Sequence, residues 1–98
     1  MGNDIQGFRI WIRLFTGTPE QAMKDLSRMG ASPSQRATLA FEKWPTPSER
    51  AKALLCLRSV SAIRSACRAA GWIQDGQLRV EGADPADVEA LTTRLGLS

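Results

Sequence analysis

The residues best suited to chemistry in this chain are Ser61, Arg64, Ser65 and Arg68. Spaced by three and four, they fall on one face of any helix that runs through them. Long guanidinium donors beside small hydroxyls suit contact with base edges and phosphates, provided an apolar back holds the helix. Arg50, Lys52 and Arg58 precede this stretch and Arg79 follows it, in positions suited to backbone phosphates. The same face also fits a plainer description, a solvated helix surface. Charge distribution favours an anionic partner, either DNA or an acidic protein surface. The formal charge of the 98 residues is +3, yet residues 36–79 carry eight bases (Arg36, Lys43, Arg50, Lys52, Arg58, Arg64, Arg68, Arg79) against three acids. Residues 80–98 reverse the sign, with Glu81, Asp84, Asp87 and Glu89 against Arg94.

Other chemistries find little support. The chain has no histidine, so the usual neutral-pH acid–base group and the commonest metal ligand are both missing. A serine or cysteine nucleophile would have no evident base, and no glycine-rich phosphate loop or zinc or calcium ligand set is present. The expectation is a protein that is not an enzyme and takes no cofactor or metal. Cys56 and Cys67 form no C-x-x-C pair and lie in apolar stretches, as free thiols do in a reducing cytoplasm. No apolar run reaches membrane-spanning length, and Met1-Gly2 lacks the Ser or Thr at position 6 that myristoylation favours. Residues 1–7 read as a frayed terminus without a leader.

The elements that must position the basic face are marked by a repeated signal. Thr18-Pro19, Ser32-Pro33, Thr46-Pro47 and Asp84-Pro85 each place a capping oxygen before a proline, and an acid or amide follows within the first turn. This pattern starts helices, because the cap accepts an orphan N–H and proline at the first position has none to lose. Helices are expected over about Pro19–Met29, Pro33–Lys43, Pro47–Leu57 and Pro85–Leu95. In Pro33–Lys43, Leu39 falls off the stripe of Ala37, Ala40 and Phe41, so that helix touches two neighbours or exposes a leucine. Between Pro47 and Ala70 the stripe Ala51, Leu54, Leu55 is out of phase with Val60, Ile63, Cys67, Ala70. That shift predicts a break near Arg58-Ser59, with Ser59 capping a new helix; one continuous helix burying Ala62, Ala66 and Ala69 is the alternative. Asp75-Gly76 between Trp72-Ile73-Gln74 and Gln77-Leu78-Arg79-Val80 predicts a tight hairpin. Residues Phe8–Phe15 alternate, with Phe8, Ile10, Ile12 and Leu14 on one side and Arg9, Trp11, Arg13 and Phe15 on the other, which predicts a strand. The expected fold is a single α+β domain, predominantly helical, in which five short helices cover a small sheet of that N-terminal strand and the C-terminal hairpin.

Residues 47–80, read as helix, tight turn, helix and hairpin, resemble the winged helix-turn-helix DNA-binding domains. The resemblance rests on Ala53, on Ser59 opening the second helix, on Val60 and Ile63 at its back, and on Gly71-Trp72-Ile73 leading into Asp75-Gly76. Leu57 stands where those domains often carry glycine, and Arg64 where many carry an apolar residue. The resemblance implies a small regulator, of the kind phages and plasmids encode, that meets DNA through Ser61, Arg64, Ser65 and Arg68 with the hairpin as a wing. A homodimer would then match paired half-sites. A weaker helix-turn-helix match spans Leu26–Gln35, where Arg36 takes a place expected to hold a buried branched residue. The competing reading is a non-catalytic adaptor or inhibitor that engages a host protein complex through Arg9, Trp11, Arg13 and Phe15. If that face were a strand surface, its alternating bases and aromatics would also suit stacking on single-stranded nucleic acid.

Overall fold

The computed structural model describes residues 4–97, which form six helices and one hairpin. The helices are α1 (Ile5–Leu14), α2 (Pro19–Arg28), α3 (Pro33–Lys43), α4 (Pro47–Leu55), α5 (Val60–Ala69) and α6 (Pro85–Leu95); the strands β1 (Ile73–Gln74) and β2 (Gln77–Leu78) lie between α5 and α6. The fold is α+β and predominantly helical, as expected.

All four proline caps open helices. The Thr18, Ser32 and Thr46 hydroxyls accept the N–H of Gln21, Gln35 and Glu49, and Asp84 accepts that of Ala86. At Ser32 the capping box is complete, since the Ser32 N–H donates to Gln35 Oε1 at 2.9 Å. Gly30 and Gly71 close α2 and α5 with positive φ, and the N–H groups of Ala31 and Trp72 reach back to the carbonyls of Leu26 and Cys67.

The break between α4 and α5 is present. Ser59 caps α5 by accepting the Ala62 N–H at 3.2 Å, so residues 47–70 are two helices. The Asp75-Gly76 turn is also as expected: both residues have positive φ, and the antiparallel pairs are Ile73 with Leu78 and Gln74 with Gln77.

The N-terminal segment corrects the reading of the sequence. Residues Phe8–Phe15 are not a strand, and the sheet has two strands rather than three. Asp4 caps a helix whose buried residues are Phe8 and Ile12, one turn apart, so residues 5–7 belong to that helix rather than to a frayed end. Ile5, Phe8, Ile12 and Phe15 already carried the helical period, and the alternation at 8, 10, 12 and 14 coincided with it. Ile10 and Leu14 are 60% and 79% exposed. The reading of Met1–Asn3 lies outside the described residues.

The core runs through the middle of the molecule. Met23, Leu26, Leu39, Leu54, Leu57, Ile63 and Leu91 are all fully buried. Leu39 is buried because α3 packs against α1, α2, α4 and α5 at once. Met29, expected as the last residue of α2, lies just beyond that helix and is 41% exposed. Among the described residues no helix is long and apolar enough to cross a membrane.

Candidate nucleic-acid interface

The α5 helix is held from behind. Ala62, Ile63 and Cys67 are buried against the core, with Val60 and Ala70 half-buried beside them. Cys56 and Cys67 are free thiols; burial raises both, Cys67 to about 11, so neither is a thiolate near neutrality. On the outer face Ser61, Ser65 and Arg68 are exposed. The Ser61 and Ser59 hydroxyls lie 3.1 Å apart, while Arg68 makes no ion pair among the described residues.

The turn before α5 needs no glycine. Leu57 is buried and keeps a negative φ, since Asp75 is the only non-glycine residue described with a positive one. Its carbonyl accepts Arg94 Nη2 at 2.6 Å, and the Leu55 carbonyl accepts Arg94 Nη1 at 3.5 Å. Arg94 of α6 thus supplies donors to carbonyls that the end of α4 leaves orphaned.

Arg64 serves in the same way. It is half-buried, and its Nη2 donates to the Leu95 carbonyl at the end of α6 at 3.1 Å. Arg50 donates to the Trp44 and Phe41 carbonyls at 2.7 and 3.0 Å, closing α3, and its guanidinium lies 4.9 Å from the Phe41 ring centre. Lys43 Nζ donates to the Phe15 carbonyl at 2.8 Å, closing α1. Four bases of the chain therefore sit at helix C-termini, where carbonyls and macrodipole favour a cation. No local pattern signals this, because each donor is brought to its carbonyl by tertiary packing.

Lys52 is committed as well, to Asp87 of α6 at 2.7 Å, and that contact raises its pKa. The acidic C-terminal helix thereby neutralises part of the basic middle. Of the eight residues singled out for nucleic acid, five remain on the surface (Arg58, Ser61, Ser65, Arg68, Arg79), while Arg50, Lys52 and Arg64 are struts.

Those five are arranged along α5. Arg58 is exposed immediately before the Ser59 cap, and Arg68 lies in the last turn. The Arg79 N–H donates to the Trp72 carbonyl at 2.7 Å, and Trp72 is itself anchored to the Cys67 carbonyl at the end of α5. Bases therefore stand at both ends of a helix about 15 Å long. Arg79 Nη2 contacts Gln77 Oε1 at 3.1 Å, and the hairpin tip carries Asp75, so the positive charge of the wing comes from Arg79 alone. Beside this face, Ser65 helps line a shallow apolar groove of about 450 Å³ between α3 and α5.

The second candidate surface is dismantled by the helical N-terminus. Arg9, Trp11, Arg13 and Phe15 do not share a face. Trp11 and Phe15, one turn apart and half-buried, pack with ring centres 5.0 Å apart. Arg9 pairs with Glu42 at 2.7 Å, and Arg13 is exposed. Alternating bases and aromatics on an extended surface, as needed for stacking on a single strand, are not present. At the weaker motif, Arg36 occupies the expected buried position although it is charged.

No protein-family model matches the chain, and no curated protein or solved structure matches it either.

Proposed function

We propose that the protein is a small DNA-binding regulator that docks α5 against duplex DNA. The observation that carries this reading is the pairing of a tightly backed helix with an outward face of Ser61, Ser65 and Arg68. The α4–turn–α5 unit is stiffened from α6 by Arg94, and the hairpin follows directly, as a helix-turn-helix with a short wing requires. In this reading Arg68 and the two serines face the groove. Arg58 and Arg79 meet phosphates at either end, and Arg64 and Lys52 hold the scaffold.

The test is duplex DNA binding at low salt, read by fluorescence anisotropy. Arg68→Ala weakens binding by roughly tenfold or more while leaving the melting temperature unchanged. Arg28→Ala, which removes an exposed base from α2, leaves affinity unchanged. Equal effects from the two variants, or no binding by the wild type, would contradict the proposal.

A further inference from the structure

Arg9 and Arg13 lie one turn apart on α1 and face the end of α3. Together with Ile12, Glu42 and Lys43 they line a cleft of about 160 Å³ between the two helices. Ile12 is buried and forms its apolar side. The Glu42 carboxylate is already taken, since Arg9 Nε reaches its Oε1 at 2.7 Å and Arg9 Nη2 its Oε2 at 3.0 Å. Arg9 Nη1 has no partner among the described residues. Lys43 Nζ donates to the Phe15 carbonyl at 2.8 Å and approaches the Arg13 carbonyl at 3.4 Å, which leaves one ammonium hydrogen unused. The Arg13 guanidinium makes neither a hydrogen bond nor an ion pair among the described residues. It is nonetheless close to the cleft: Glu42 is held below its ordinary pKa first by the hydrogen bond from Arg9 and, to a smaller extent, by the charge of Arg13. Three cations thus surround one neutralised carboxylate. The C-termini of α1 and α3 subtract about half a charge each, and the cleft remains positive.

We infer that the cleft between α1 and α3 binds a phosphate group, held by Arg9 Nη1, Arg13 and Lys43. The spare donors come from three side chains on two helices, which matches the separate oxygens of a tetrahedral anion. A phosphate monoester carries a charge of about −1.5 to −2 near neutrality, enough to offset the positive charge left in the cleft. Hydrogen bonds from guanidinium and ammonium groups to such oxygens are shorter and stronger than neutral ones. A carboxylate, with a single charge and two oxygens, leaves one of the three donors unmatched. Glu42 does not oppose the anion, because both its oxygens are engaged by Arg9 on the other side of the guanidinium fork. The same donors serve the terminal phosphate of a small molecule or a backbone phosphate of a nucleic acid. The site shares no residue with the outer face of α5, so this inference is independent of the DNA contact proposed there.

Nuclear magnetic resonance of the arginine Nε–H groups tests it, with the whole chain titrated by inorganic phosphate near neutral pH and by sodium chloride at matched ionic strength. Phosphate shifts the Arg9 and Arg13 signals saturably, with a dissociation constant on the order of 1 mM, and chloride does not. The signal of Arg28, an exposed base on α2, does not follow them. Arg13→Gln raises the dissociation constant by about tenfold while the circular dichroism of the folded chain is retained; Arg28→Gln leaves it unchanged. A duplex arm separates the two sources of phosphate. Loss of duplex affinity in Arg13→Gln assigns the site to a nucleic-acid backbone, and unchanged duplex affinity, or no duplex binding by the wild type, assigns it to a small phosphorylated molecule. Shifts that grow linearly with phosphate, or that chloride reproduces, would overturn the inference, as would an Arg13→Gln protein that binds phosphate as well as the wild type.

Discussion

At the scale of single residues, most charged side chains here hold the fold together. Arg36 is the exception that reveals the rule. It is buried, its Nε has no hydrogen-bond partner, and its Nη1 is 3.4 Å from the Met23 carbonyl; burial lowers its pKa. Breaking a good buried pair is destabilising, but replacing a poorly satisfied buried cation with an apolar chain of similar shape is neutral or favourable. Arg36→Met should therefore stabilise the protein by up to about 2 kcal/mol, measured by urea unfolding; a loss of stability would show that the guanidinium is better satisfied than its geometry indicates. The Arg9–Glu42 pair gives a prediction in pH. The hydrogen bond from Arg9 holds Glu42 below its ordinary value of 4.5. A carboxylate depressed in the folded state adds stability that is fully present above its unfolded pKa and lost as pH falls through the folded one. The advantage of the wild type over Glu42→Gln in thermal melting should be constant near neutrality, narrow below about pH 4.5 and vanish once Glu42 is protonated.

At the scale of elements, the α4–turn–α5 unit depends on a residue far away in sequence. Arg94→Ala removes the donors to the Leu57 and Leu55 carbonyls and should cost about 2 kcal/mol, with faster amide exchange at the start of α5. Arg94→Lys, which keeps the charge but not the planar fork, should recover part of this. If the alanine variant is as stable as the wild type, the turn is self-supporting. What was legible in the sequence follows the same division between local and distant causes. Caps, prolines, the Ser59 break and Asp75-Gly76 act within a few residues, so their consequences could be read directly. The helix α1 could not, because residues 8–15 satisfy both periods and the choice falls to which side chains the rest of the chain buries. The candidate site was legible as a face of α5, but the withdrawal of Arg64 and Lys52 into capping and pairing depends on where α6 docks. For the same reason the stripe of Arg9, Trp11, Arg13 and Phe15 dissolved once its segment proved helical.

At the scale of the whole molecule, the net charge overstates the basic surface. Lys43, Arg50, Arg64 and Arg94 serve helix ends, Arg9 and Lys52 are in ion pairs, and Arg36 is buried. The basic groups left around α5 are Arg58, Arg68 and Arg79, so DNA binding through this helix should release few counterions. The most direct test is the dependence of duplex affinity on salt concentration, compared between the wild type and a variant in which Arg58, Arg68 and Arg79 are all alanine. If Arg58 and Arg79 contact phosphates while Arg68 faces the groove, the slope of log affinity against log salt is shallow and falls by about 2 in the triple variant, roughly one for each phosphate-contacting side chain. An identical slope in the two proteins, with the fold of both intact, would contradict the assignment of α5 and its flanks as the DNA-binding surface.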